Sequence, residues 1–246
     1  MKFHVVIPAR FAAERLPGKP LVKIAGRALV ERVYERAAGS GAADVAVATD
    51  DDRIAAACRD FGASVVMTPA ELASGTDRVA AVAVAHGWHE DEIVVNVQGD
   101  EPLMPPALID AAAALLEEDT EAGIGTLAAP LEEAEFTDPA AVKVVCDRRG
   151  RALYFSRAPI PASRSGAWPT PRLRHIGLYA YRVATLARLA ALPPCPLEMT
   201  ERLEQLRALW NGIAIAVAVV DAAPPGGVDT PADVERVERL IAAGAS

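Results

Sequence analysis

The chain has 246 residues, 52% of them hydrophobic, a formal net charge of -8 and a pI near 5.1. That length allows one large domain or two small ones around a conventional buried core. The charge excludes a global basic field of the kind that recruits nucleic acid or an anionic membrane, so any cations that matter must act locally.

Phe3 to Ile7 predicts a short buried strand that stops at Pro8. The loop behind it carries Arg10, Arg15 and Lys19 among small residues, with Gly18 between Pro17 and Lys19-Pro20. A strand running into such a loop suits a polyphosphate, because backbone can approach the anion at Gly18 while the cations neutralise it. A solvated surface loop is the plainer alternative. Ile24-Ala25-Gly26 predicts a turn, after which Leu29, Val30, Val33, Tyr34 and Ala37 recur at helical spacing as far as Gly39 and Gly41. Val45 to Thr49 predicts a strand closed by Asp50, Asp51 and Asp52. A helix with Ile54, Cys58 and Phe61 on one face follows, and Ala63 to Met67 predicts another strand. Ser74-Gly75-Thr76-Asp77-Arg78 is either a capped helix start or a nucleotide contact made by backbone and hydroxyl groups. Ile93 to Val97, β-branched except at Asn96, is the clearest strand, and Gln98-Gly99-Asp100-Glu101-Pro102 stops it. Leu108, Ile109, Ala112, Leu115 and Leu116 then form the apolar face of a helix. Apolar strands alternating with helices predict a mainly parallel sheet covered on both faces, with ligands beyond its carboxyl edge. The opening loop, Asp50 and the Gln98–Glu101 turn fall on that edge.

Farther on, Val142 to Cys146 and Ala152 to Phe155 predict a hairpin across Asp147–Gly150. Residues 163–171 are rich in Ser, Pro and Gly and read as a mobile segment. Ile176 to Tyr181 predicts a strand. Leu186 and Leu189 begin a helix ended by Pro193-Pro194, residues 199–210 keep helical spacing, and Ile213 to Val220 predicts a strand. Residues 224–231 turn into a last helix with Val234, Val237, Leu240 and Ile241 on its inner face. No repeat or sharp linker interrupts the chain, so the expectation is one domain over 1–246 with a β-rich insertion around 130–185.

The three cysteines, Cys58, Cys146 and Cys195, are odd in number and widely spaced, which reads as core packing in a reducing compartment. The longest apolar run, Ile213 to Val220, is far short of a membrane span, and the stretch before Pro8 is too short for a signal-peptide core, so a cytosolic protein is expected. Asp100 ends a buried strand in a glycine turn, where it can hold Mg2+ or merely shape the turn. Asp229 precedes Thr230-Pro231, where Asp or Thr is an ordinary helix cap. His175 and Tyr179 share a strand face and, with Arg157 and Arg174 nearby in sequence, could bind an acidic, hydroxylated ligand. The Gly-x-x-x-x-Gly-Lys-Ser/Thr loop, the Gly-x-Gly-x-x-Gly fingerprint and the Gly-x-Ser-x-Gly elbow do not occur.

Taken in order, IPAR (7–10), RLPGKPL (15–21), ATD (48–50), SGTDR (74–78), NVQGDEP (96–102), AVKVV (141–145), LYFSR (153–157), RHIGLY (174–179), LEQLR (203–207) and GVDTP (227–231) make a chain-long pattern. In these motifs the sequence closely resembles the 3-deoxy-manno-octulosonate cytidylyltransferases. The resemblance implies an α/β fold with a mixed, mainly parallel central sheet and helices on both faces, of the nucleotide-diphospho-sugar transferase type, with a smaller β-rich insertion for the sugar and for dimerisation. It implies transfer of CMP from CTP to 3-deoxy-manno-octulosonate (KDO), a Mg2+ requirement, a homodimer, and a place in lipopolysaccharide biosynthesis in the cytoplasm of a Gram-negative bacterium.

Residue by residue, it implies catalytic roles for Arg10, Lys19, Asp100 and Asp229, with Asp100 and Asp229 as the Mg2+ ligands. Ala9, Arg10, Arg15, Lys19, Ser74, Gly75, Arg78 and Gln98 would bind the nucleotide. Arg157, His175, Tyr179, Glu198 and Gln205 would face the sugar acid. The sequence departs from the family pattern at Phe11, at Glu14 and in residues 162–171. The alternatives are a cytidylyltransferase for 8-amino-KDO or a nonulosonic acid, and a non-catalytic nucleotide-binding regulator.

Overall fold

A computed structural model of the chain describes residues 2–12, 16–166 and 171–244. The chain divides into two compact units, one of Met1–Asp110 with Pro224–Ser246 and one of Ala111–Ala223.

The first unit contains β1 (Phe3–Ala9), a small hairpin of β2 (Lys23–Ile24) and β3 (Arg27–Ala28), α1 (Leu29–Ala38), β4 (Asp44–Thr49), α2 (Asp52–Asp60), β5 (Ser64–Met67), α3 (Gly75–His86) and β6 (Ile93–Asn96). It also holds the first turns of α4 (Pro106–Glu118). Strand β1 lies parallel to β6 on one side and to β4 on the other, with Val5 opposite both Val95 and Val45, and β5 extends the sheet beside β4. Successive side chains of a strand point to opposite faces. Val5, Val6 and Ile7 are all fully buried, as are Val94 and Val95, so both faces of this sheet are covered. That is why these strands read as unbroken apolar runs rather than as alternating ones.

Helix starts follow the expected side-chain chemistry. Asp51 caps α2 by accepting the backbone N–H of Arg53 at 2.9 Å. Ser74 and Asp77 cap α3 reciprocally, at 3.1 and 2.9 Å.

The second unit is built on β7 (Ile124–Pro130), β8 (Lys143–Cys146), β9 (Ala152–Ser156), β10 (Leu173–Arg182), α5 (Val183–Ala191), α6 (Pro196–Glu201), α7 (Gln205–Trp210) and β11 (Ile215–Val219). β7 is central, parallel to β11 and antiparallel to β10. β8 pairs antiparallel with β10, and β9 with β8. The chain then returns to the first unit through α8 (Pro231–Ala242). The α/β class with a mixed, mainly parallel sheet is the one expected.

Three elements differ from expectation. β1 does not stop at Pro8 but continues to Ala9, with Pro8 paired to Ala48 of β4. β7 was not anticipated, because Gly, Thr and Ala dilute its strand signal; a Cβ on Gly125 would lie 2.8 Å from the Ala112 carbonyl, so close approach of α4 dictates the small residue. The helical spacing over 199–210 resolves into α6 and α7, interrupted at Arg202, whose backbone is left-handed with φ 55°. Among the described residues no helix is long and apolar enough to cross a membrane.

Candidate functional site

The carboxyl edge of the first unit's sheet holds a cavity of about 310 Å³. Pro8, Ala9 and Arg10 line it from the end of β1, and Lys19 from the loop that follows. Ser74 and Gly75 line it from the start of α3, and Gln98, Gly99 and Asp100 from the turn after β6. The N-terminal end of α3 adds a partial positive charge. Six of the residues expected to meet a nucleotide, Ala9, Arg10, Lys19, Ser74, Gly75 and Gln98, are therefore gathered around one space together with Asp100, expected as a metal ligand.

Close backbone packing assembles this space. A Cβ on Gly99 would lie 2.5 Å from the Pro8 carbonyl oxygen, and one on Gly75 would lie 3.2 Å from the Pro8 ring. Gly227 has the same function at the far end of the sequence, since a Cβ there would come within 2.9 Å of the Asp100 carbonyl. The Val228 N–H donates to that carbonyl at 2.8 Å. Asp229 is thereby brought to Asp100. Thr230, not Asp229, caps α8, with Asp233 completing the capping box.

Lys19 joins the two carboxylates. Its ammonium donates to Asp100 Oδ2 at 2.6 Å and to Asp229 Oδ1 at 3.1 Å. Burial draws its pKa down, but the two carboxylates outweigh that and the net shift is upward, so Lys19 stays an ammonium. A single turn of 3-10 helix, Lys19–Leu21, presents it, entered through Gly18 at φ 67°. The Phe11 ring lies 3.2 Å from where a Gly18 Cβ would be, and the Arg53 guanidinium covers that ring at 3.4 Å from its centroid. Phe11, a departure from the family pattern, thus clasps the loop. Arg10 donates to the Leu72 carbonyl at 2.6 Å, and its pKa is lowered first by burial and next by Arg78. Arg15 and Glu14 lie outside the described residues.

Arg78 does not have the placement expected of it. It has no exposed surface, and its guanidinium donates to Asp50 Oδ2 and Thr68 Oγ1, both at 2.6 Å, and to the Pro69 carbonyl at 3.2 Å. It ties α3 to the end of β4 from within the unit and is not among the residues that line the cavity, while its buried Nε has no hydrogen-bond partner among the described residues.

In the second unit His175 and Tyr179 do share a face, with ring centroids 5.3 Å apart despite a bulge between Ile176 and Tyr179. Burial lowers the His175 pKa to about 3, so the ring is neutral. Its Nε2 lies 3.0 Å from Thr126 Oγ1. That hydroxyl donates to the Leu178 carbonyl at 2.7 Å, so Nε2–H is the donor to Thr126. The Tyr179 phenol is pushed well above its usual range, first by burial.

Arg157 and Glu198 are each held by partners within the unit. Arg157 Nε donates to the Glu201 carbonyl at 2.7 Å and its Nη1 to the Pro139 carbonyl at 2.9 Å. Glu198 accepts from Arg207 Nε at 2.9 Å and caps its own helix through the Cys195 N–H. Gln205 is buried at the start of α7. A cavity of about 530 Å³ lies alongside, lined by Glu198, Arg202 and Glu204 with Pro194, Met199 and Leu203. Sequence reasoning missed Glu201, which accepts from the Ser156 hydroxyl at 2.7 Å and the Arg157 N–H at 2.9 Å. No local pattern announces a contact between residues so far apart in the chain.

The three cysteines are free, and burial raises the Cys58 and Cys146 thiols to about 11, which leaves both unreactive.

A family model described as Cytidylyltransferase matches residues 4–215. A 3-deoxy-manno-octulosonate cytidylyltransferase from Halorhodospira halophila is 54% identical over 97% of this chain and 96% of its own. One from Thioalkalivibrio sulfidiphilus is 52% identical over 99% and 100%. A solved CMP:2-keto-3-deoxy-manno-octonic acid synthetase in complex with CTP superposes with a TM-score of 0.92 at 43% identity, covering 99% of both chains.

Proposed function

This chain belongs to the 3-deoxy-manno-octulosonate cytidylyltransferases, and from that premise we propose how its residues divide the work. It is a nucleotidyltransferase that moves CMP from CTP to KDO and releases pyrophosphate. The anomeric hydroxyl of the sugar attacks the α-phosphorus, the bond to the leaving pyrophosphate breaks, and no covalent enzyme intermediate is required. Both reactants are anions, so the protein's main tasks are positioning and charge neutralisation.

Arg10 and Lys19 take the triphosphate, with Arg15 as a third cation. Ser74, Gly75 and Gln98 hold the nucleoside, with Ala9 as backbone lining. Asp100 and Asp229 are the ligands for Mg2+. The donor set fits that ion: two carboxylates face one positive charge, both donors are hard oxygens, and substrate phosphates and water could supply the remaining ligands. When bound, Mg2+ would supply polarisation of the α-phosphate and bring the sugar hydroxyl to it.

His175, Tyr179 and Gln205 belong to the sugar-acid side, with His175 acting as a neutral hydrogen-bonding group. Arg157 and Glu198 belong to that side as well, Glu198 as a lining residue of the larger cavity. We also read the β-rich part of the second unit, within a single functional domain, as the dimer-forming part of a cytoplasmic homodimer. The exposed apolar residues Leu153, Trp210 and Val219 all lie in this unit and support that reading. Sedimentation at twice 25.8 kDa would bear it out, and a monomer at micromolar concentration would refute it.

The observation that carries the catalytic reading is the convergence of Lys19, Asp100 and Asp229 at the cavity lined by Arg10, Ser74 and Gly75. Pyrophosphate release should be measured with each of four NTPs against KDO, 8-amino-KDO and sialic acid, with and without Mg2+. Release confined to CTP, KDO and Mg2+ is expected. Release without added metal, or a preference for another acid, would overturn the corresponding assignment.

A further inference from the structure

We propose that Lys19 is the resident counter-ion of Asp100 and Asp229 and gives way to the divalent metal only when a nucleotide triphosphate is present, so that the metal enters with CTP and not ahead of it. The proposal rests on the reading of the two aspartates as metal ligands. It adds an exchange in which one lysine serves the carboxylates in the free protein and the phosphates in the complex.

Three observations carry it. First, the ammonium sits within hydrogen-bond distance of both carboxylates at once, 2.6 Å from one and 3.1 Å from the other. An ion bound to the same two oxygens would stand a few ångströms from that ammonium in a half-buried site, where like charges repel strongly. Lys19 and the metal therefore compete for one position.

Second, the base of the lysine is fixed while its arm can swing. Gly18 in its left-handed conformation, the Phe11 ring and the short helical turn hold the Lys19 backbone, and the Lys19 N–H donates to the Leu16 carbonyl at 3.0 Å. The ammonium ends a flexible stem that can exchange acceptors without moving the loop.

Third, Lys19 and Asp100 line the same cavity as Arg10, Ser74 and Gly75, so a polyphosphate bound there comes within reach of the ammonium. Metal arriving alone must displace an ammonium whose hydrogen-bonded anions, among the described residues, are those two carboxylates. Nucleotide arriving alone finds its lysine committed to two carboxylates. Arriving together, each provides what the other displaces, and binding of the two is positively coupled.

The test is calorimetric titration of the full-length protein with Mn2+, with and without CTP and in the absence of KDO, so that binding is read apart from turnover. Wild type should bind Mn2+ weakly alone and at least about tenfold more tightly with CTP. Lys19→Met should bind Mn2+ alone at least about tenfold more tightly than wild type does, with the CTP-dependent gain reduced. Lys19→Arg, which keeps the charge, should stay as weak as wild type. Lys19→Met/Asp100→Asn should lose the gained affinity.

Unchanged or weaker Mn2+ binding by Lys19→Met would overturn the exchange while leaving the aspartates as ligands. A gain that survives Asp100→Asn would show that the metal sits elsewhere and overturn both. Circular dichroism checks each variant, and Lys19→Gln replaces Lys19→Met if that protein does not fold.

Discussion

Replacing Gly99 by alanine tests whether the site depends on the approach of two backbones. The new Cβ would meet the Pro8 carbonyl oxygen at 2.5 Å. A comfortable carbon–oxygen contact begins near about 3.3 Å, so the two segments must separate by roughly 0.8 Å. Neither partner is the end of a flexible side chain. Pro8 is in β1, in register with Ala48 of β4, and Gly99 directly precedes Asp100. The strand is held on both sides, so the turn moves and carries Asp100 with it, away from Lys19 and Asp229. Overpacking of this kind costs about 1–3 kcal/mol. Displacing a catalytic group by about 1 Å costs about a hundredfold in rate. Gly99→Ala should therefore remain folded, melt several degrees lower and lose about two orders of magnitude in kcat by pyrophosphate release. A variant that keeps kcat within threefold of wild type would refute the claim that this contact fixes Asp100.

Asp100→Asn should lower kcat by at least about a thousandfold with the far-ultraviolet circular dichroism unchanged, and wild-type-like turnover by the folded protein would remove Asp100 from the metal site. Lys19→Ala should weaken CTP binding in the presence of metal, and an unchanged affinity by calorimetry would count against its phosphate role. Arg78→Met strips the buried partner from Asp50 and should cost about 3–5 kcal/mol in urea unfolding; a loss of nucleotide affinity at unchanged stability would restore Arg78 as a direct contact. His175 has a folded pKa of about 3, below its unfolded value, so the unfolded chain takes up a proton first and the neutral ring's contribution is full above about pH 6.5 and lost as pH falls toward 3. His175→Gln should flatten that acid limb, and an unchanged pH–stability profile would show that the buried ring titrates normally.

How far the molecule could be read from its sequence depends on whether a signal is local. The strands of the first unit are apolar on both faces, and its helices carry their own caps at Asp51 and Ser74, so their extents were legible to within a residue or two. β7 was not legible, because its Gly125 is required by the helix lying against it rather than by the strand itself. Arg78 reads as an ordinary cation one turn into α3. Only Asp50 and Thr68, on other elements, make it a buried strut.

The candidate site is the extreme case of this dependence. Lys19 reaches Asp100 across 81 positions and Asp229 across 210, and without the family resemblance Asp229 is indistinguishable from a helix cap. In the structure Thr230 takes the cap, and Asp229 accepts from the same ammonium as Asp100. Gly99 and Gly227 look like turn glycines, yet neither is among the positive-φ residues; each is glycine because another backbone, Pro8 or Asp100, occupies the place of its side chain. The residues that present chemical groups are thus recognisable by type. The residues that bring those groups together are recognisable only from what they pack against. A search for the determinants of this activity should therefore vary Gly99, Gly227 and Thr230 alongside Lys19, Asp100 and Asp229.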